Sequence, residues 1–137
     1  MSMMKKSVMQ EDGMGCGIAS TAFLLGKTYK ETLNLFEDGK VKAQTVGFQC
    51  KEISNILNSV GLNYKNTYIR GKIKKALYKP RTIVFIKRSK KYPYGHYLCR
   101  AEGKWMDPWI NFPDQDRRAG FRKRLPGRPI YVILSQY

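Results

Sequence analysis

The amino-acid sequence predicts an α+β domain in which helices come first and an antiparallel sheet follows. Three observations carry that expectation. Apolar residues before Gly61 recur at helical spacing, and those after it fall in short β-branched and aromatic runs. Gly, Pro and capping residues stand where such elements would begin and end. With 137 residues and 42% hydrophobic content, the chain can build one core but not two domains of ordinary size, so residues 1–137 are expected to form a single domain.

The elements follow in order. Gly13-Met14-Gly15-Cys16-Gly17 reads as a flexible elbow that enters a compact run of helix formers at 18–25, closed by Gly26. Cys16 thus falls at the start of a buried helix. Thr28 and Glu31 make a capping-box pattern, and Tyr29, Leu33 and Phe36 continue at helical spacing until Asp38-Gly39 stops that second helix. Residues 51–60 place Ile53, Ile56, Leu57 and Val60 on one face, with Gly61 just past the end. Strands are expected at 62–68 and 82–87, with a basic segment, 72–78, between them. Residues 96–100 and 104–107 flank Ala101-Glu102-Gly103, and 130–134 form a last strand after a Pro-, Gly- and Arg-rich stretch.

Charge is unevenly spread. The net +16 divides into +1 over residues 1–60 and +15 over residues 61–137. Such a field attracts nucleic acid, an anionic membrane or an acidic protein, and names a class of partner without naming a reaction. Apolar runs such as 22–25, 83–86 and 130–134 reach four or five residues, against the roughly 18 to 20 needed to cross a bilayer, so no membrane span is expected. Residues 1–13 lack the apolar centre of a secretory signal, which points to the cytoplasm. Cysteines at 16, 50 and 99 have no paired spacing, and His96 is the sole histidine, so neither a disulfide framework, a metal site nor a cofactor is expected.

A thiol on the first turn of a helix lies where unpaired backbone N–H groups and the helix dipole stabilise negative charge, which places Cys16 as a nucleophile. Cys50 and Cys99 read as structural, at a helix start and in mid-strand. If the chain turns at Glu102-Gly103, Arg100 lies opposite Trp105 and Leu98 opposite Asp107, so residues 96, 98, 105, 107 and 109 share one face. His96 and Asp107 become diagonal neighbours, about 7 to 8 Å apart at the backbone, close enough for the carboxylate to fix the imidazole tautomer. Gln10, six residues before Cys16, could join the backbone N–H of Cys16 in holding a developing oxyanion.

The string Gln10-Glu11-Asp12-Gly13-Met14-Gly15-Cys16-Gly17-Ile18-Ala19, followed by Gly95-His96-Tyr97-Leu98 and Met106-Asp107-Pro108, resembles the bacterial double-glycine (bacteriocin-processing) peptidases of the papain-like clan. The resemblance covers about residues 8–112. It implies a papain-like fold in which N-terminal helices pack on a C-terminal antiparallel sheet. It also implies Cys16 as nucleophile, His96 as general base and acid, Asp107 as orienting residue and Gln10 as oxyanion donor. The implied activity is a cysteine endopeptidase acting on a protein substrate, with a preference for Gly-Gly before the scissile bond. Trp105, Trp109, Phe48 and Tyr94 are candidates to wall a narrow cleft. Gly15 stands where the family often has an acidic residue. Stand-alone relatives include small basic toxin domains that act in a competitor's cytoplasm and are neutralised by an immunity protein, which implies an acidic immunity or inhibitor partner.

Two other functions stay open. A Cys-His-Asp site also supports glutamine deamidation or transglutamination, which begin with the same thiolate attack on a carboxamide. A nucleic-acid-binding module is the other, suggested by Lys72, Lys74, Lys75, Lys87, Arg88, Lys90, Lys91 and the Arg-rich stretch 117–128, interleaved with Tyr78, Tyr92 and Tyr94.

Overall fold

The helices precede the strands, as the periodicity requires, in the computed structural model, which describes residues 6–136 apart from the side chain of Lys72. Residues 1–5, part of the stretch read for a leader, lie outside the described residues, as does the Lys72 side chain of the basic patch.

Helix α1 (Cys16–Leu25) begins two residues earlier than expected and is buried nearly all round, from Gly17 to Leu24. It is the central helix of the domain, so it needs no polar face. Gly17 permits this: a methyl group there would meet Ile53 at 3.1 Å and the Tyr97 ring at 3.3 Å, on the helix and strand that sandwich α1. Gly26 ends α1 in the left-handed conformation at φ 69°.

Helix α2 (Tyr29–Leu33) opens with the expected capping box, Thr28 N–H donating to Glu31 Oε1 at 2.9 Å and Glu31 N–H to Thr28 Oγ1 at 3.1 Å. It stops at Leu33, before Phe36. Asp38-Gly39 does not end the helical region. It starts helix α3 (Gly39–Gln44), which the sequence reading missed because only Gly39 and Ala43 of it are buried. Gly39 serves close approach here, since a side chain would sit 2.5 Å from the Leu33 carbonyl oxygen. Helix α4 (Cys50–Ser59) matches its expected span within a residue and buries Ile53 and Leu57, while Val60 stays exposed.

The strands are β1 (Tyr64–Tyr68), β2 (Ile83–Ile86), β3 (His96–Arg100), β4 (Trp105–Asp107), β5 (Gly120–Arg122) and β6 (Pro129–Ser135), and a 3-10 segment (Gly71–Tyr78) occupies the basic stretch. Strand β5 lies inside what the sequence reads as an Arg-rich loop. All pairings are antiparallel, in the order β1-β6-β2-β3-β4-β5. The β3–β4 register, Arg100 opposite Trp105, is the one expected from a turn at Glu102-Gly103.

Alternation splits the sheet's side chains between two apolar clusters. Ile83, Tyr97, Cys99, Met106 and Ile133 face α1 and α4. Val84, Leu98, Trp105 and Val132 face the opposite way and are covered by Leu77 and Ile73 of the 3-10 segment. Trp105 therefore walls no cleft. It is buried in this second cluster, with the Arg100 guanidinium 5.0 Å over its ring and Tyr78 packed edge-on. Leu98 and Trp105 of the face that parity named look away from the helices, whereas His96, at the start of β3, still lies beside Cys16 at the start of α1. Among the described residues no helix is long and apolar enough to cross a membrane.

Candidate active site

The first residue of α1 and the first residue of β3 meet. Cys16 Sγ accepts a 3.5 Å hydrogen bond from the Tyr97 backbone N–H, which sets the thiol beside the His96 imidazole. The other side of that ring is engaged by β4, where His96 Nε2 lies 2.6 Å from Asp107 Oδ1. This leaves Nδ1 as the ring nitrogen for the thiol. Asp107 is fully buried, and its Oδ1 also accepts the Trp109 backbone N–H at 3.0 Å, while its Oδ2 accepts from Arg122 Nη1 at 3.0 Å. Three of the four expected residues, Cys16, His96 and Asp107, thus stand in one series, the thiol beside the imidazole and the imidazole hydrogen-bonded to the carboxylate.

Burial pushes the His96 imidazole toward its neutral form, but the hydrogen bonds to Asp107 and Cys16 and their charges outweigh it, leaving the group at about 9. Burial alone would raise the Asp107 carboxyl. The hydrogen bond and charge of His96, the Trp109 N–H and Arg122 hold it below the usual carboxylate value. The imidazolium is therefore the expected form through neutral pH, lost as pH rises through about 9. Since His96 is the sole histidine, its ring proton signals in an NMR titration need no assignment. They should report that midpoint; a midpoint near the ordinary 6.5 would contradict the geometry.

Gln10 is not the solvated loop residue that glutamines usually are. It is buried, its backbone N–H bonds the Pro108 carbonyl at 3.2 Å, and it lines the cleft with Cys16. Its Nε2 donates to the carbonyls of Asp12 at 2.9 Å and Gly13 at 3.2 Å, so the amide braces the turn that leads into α1.

That turn is built around Gly15. A methyl group there would lie 2.0 Å from the Tyr29 hydroxyl, which donates to Asp12 Oδ2 at 2.9 Å, and Lys40 Nζ holds the other carboxylate oxygen at 2.7 Å. The place where the resembling family often has an acidic side chain is filled here by a tyrosine from α2. Gly15→Ala is expected to displace Tyr29 and lower stability by about 1 to 3 kcal/mol, a loss readable by thermal melting, because the clash falls on a packed, hydrogen-bonded group. An unchanged melting temperature would show that the turn can relax.

The thiol and imidazole open into a cleft of about 630 Å³. Phe48, Tyr94 and Trp109 line it, as expected of them. Two residues of the site carried no signal for this role. Cys50 shares the cleft, where burial keeps its thiol raised and its Sγ lies 3.5 Å from the Tyr97 hydroxyl. Tyr92, grouped above with bases for nucleic acid, is buried and stacks on the His96 ring at 4.9 Å and 4°. Arg117 and Arg122 of the basic stretch likewise turn inward: Arg117 covers the Trp109 ring at 4.6 Å and donates to the Glu11 carbonyl at 3.1 Å. Neither residue was separable from a charge run by spacing alone.

The chain has an α+β fold also seen in a solved peptidase domain. Its structure superposes on the crystal structure of the peptidase domain of Streptococcus ComA, described as a bi-functional ABC transporter involved in a quorum sensing pathway, with a TM-score of 0.54 and 18% identity, over 97% of this chain and 100% of that one. At that identity the likeness is one of fold. No family model and no curated protein matches the sequence.

Proposed function

We propose that the chain is a cysteine endopeptidase that cleaves a protein substrate after Gly-Gly, and the observation that carries this is the Cys16–His96–Asp107 series opening into the cleft. The Cys16 thiolate attacks the scissile carbonyl carbon. The resulting oxyanion is held by the Cys16 backbone N–H at the start of α1; Gln10, expected as a second donor, has both amide N–H groups on the Asp12 and Gly13 carbonyls and braces the turn that presents that backbone N–H. His96 passes its proton to the leaving amine, the C–N bond breaks, and an acyl-enzyme remains on Cys16. Water then gives a proton to His96 and hydroxide to the acyl carbon, and the thiolate leaves. Asp107 keeps the imidazole oriented throughout. The preference for glycine before the scissile bond rests on the resemblance to the double-glycine peptidases, and Phe48, Tyr94 and Trp109 line the cleft that the substrate would enter.

The +15 of residues 61–137 suits capture of an acidic protein, either a substrate or an inhibitor such as an immunity protein to a toxin domain acting in a competitor's cytoplasm. The basic-module reading weakens once Tyr92, Arg117 and Arg122 are seen to be engaged inside the domain.

Mass spectrometry of a Gly-Gly-containing peptide and a glutamine-containing peptide, each incubated with the protein, tests the reaction. Two fragments that together gain one water are expected from the first. Ammonia release from the second without cleavage of the first would assign deamidation instead, since both reactions share the acyl-enzyme. Binding of an acidic polypeptide should weaken steeply between low and physiological salt. Sub-micromolar, salt-dependent duplex DNA binding with no peptide cleaved would replace the peptidase by the nucleic-acid module.

A further inference from the structure

Arg122 stands in a stretch with Arg117, Arg118, Lys123, Arg124 and Arg128, and by composition it is one more surface cation. Its position in the fold says otherwise. Strand β5 pairs with β4, Asp107 lying opposite Gly120 and Trp105 opposite Arg122, which brings the guanidinium beside a carboxylate with no exposed surface. The contact uses the oxygen that His96 does not. Oδ1 takes His96 and the Trp109 N–H, and Oδ2 takes Arg122. Each carboxylate oxygen is tied, so the group cannot rotate about its Cβ–Cγ bond without breaking one of these bonds.

We infer that Arg122 is a positioning residue of this site: by its bond to Asp107 Oδ2 it fixes the carboxylate that orients His96 and keeps it charged while the imidazole changes protonation state. This rests on the peptidase reading for its effect on turnover, but its electrostatic half does not. In the proposed cycle His96 is cationic before attack and neutral once it has protonated the leaving amine. A buried carboxylate facing a neutral imidazole would be uncompensated there, and uncompensated buried charge is costly. Arg122 supplies a constant opposite charge. The groups that face His96 are Cys16 from α1, Asp107 from β4 and the stacked Tyr92 from the loop before β3, with Arg122 behind Asp107 and also acting on Tyr92, and Lys91 Nζ 5.4 Å from the Tyr92 ring centroid. Burial and the Asp107 charge push the Tyr92 phenol up, so it stays neutral across the range in which His96 titrates.

The test compares Arg122→Met, Arg122→Gln and Arg122→Lys by NMR titration of the sole histidine and by steady-state cleavage of a Gly-Gly peptide. Removing a cation beside the His96–Asp107 pair should move the His96 midpoint upward by on the order of one unit in the Met and Gln variants, and Lys should restore it. In turnover, kcat should fall about ten- to a hundredfold in the Met variant with KM within about twofold. The Gln variant, which keeps a donor without charge, should fall between it and wild type, and Lys should recover most of the rate. An unmoved titration with kcat within twofold of wild type in Arg122→Met would overturn the inference. So would equal loss in Met and Lys variants with the midpoint unchanged, which marks a merely structural arginine. If Arg122→Met does not fold, the Gln and Lys variants decide it by the same readings. Should the wild type cleave no peptide, the peptidase reading fails while the titration still reports on Arg122.

Discussion

Cys16→Ala is expected to lower peptide cleavage by about ten-thousandfold or more, whereas Cys50→Ala and Cys99→Ala keep most of it. None of the three thiols is in a disulfide, and two of them line the cleft, so presence in the cleft does not select the nucleophile. The base does. Of the three, Cys16 adjoins His96; Cys50 faces the Tyr97 hydroxyl with its thiol raised by burial, and Cys99 is buried in the helix-facing cluster. Brief iodoacetamide treatment at neutral pH followed by peptide mapping should accordingly label Cys16 first. Preferential labelling of Cys50, or an active Cys16→Ala protein, would end the mechanism.

His96→Ala should abolish turnover as fully as Cys16→Ala, because the two act as one proton-transfer unit and knocking out either removes it. Asp107→Asn should leave partial activity, about a hundred- to ten-thousandfold down, because an amide oxygen can still accept from Nε2 while the charge is lost and the amide nitrogen sets a donor against Arg122. The sign of the accompanying pH change is fixed. Loss of the carboxylate charge lowers His96 from about 9, so the alkaline fall in activity should begin at lower pH than in wild type. Asp107→Ala adds a folding cost of about 2 kcal/mol, since the buried Trp109 N–H and the Arg122 guanidinium lose their acceptor. Full activity in Asp107→Asn with an unmoved alkaline limb would show that the carboxylate does not orient the imidazole.

Much of the molecule was legible from local rules. Helix α1 and the placing of Cys16 at its start follow from an apolar run bounded by glycines, and the Thr28–Glu31 cap follows from a four-residue pattern. The neighbouring of His96 and Asp107 follows from a tight turn and the two-residue period of a strand. Each depends on residues close in sequence, so the backbone geometry of one element suffices. What failed depended on partners far away. Strand β5 has three half-buried residues and becomes a strand only because β4 offers it an edge. Helix α3 was missed for another reason: with only Gly39 and Ala43 buried it carries no apolar periodicity.

The same division runs through the site. The sequence by itself determined that Cys16 begins a helix and that His96, Trp105 and Asp107 lie on one side of a hairpin, because helix ends and strand alternation are properties of short segments. It could not determine which side of the hairpin meets the helices, and so Trp105 went to the covered back of the sheet instead of the cleft. It could not separate Arg122 and Tyr92 from the charged surface around them either. Their roles come from the tertiary fold, which sets a guanidinium on the free oxygen of a buried carboxylate and a phenol ring on the face of the imidazole. Such contacts arise between segments whose separation in sequence carries no periodic signal, and only the burial of the two sheet faces brings them together.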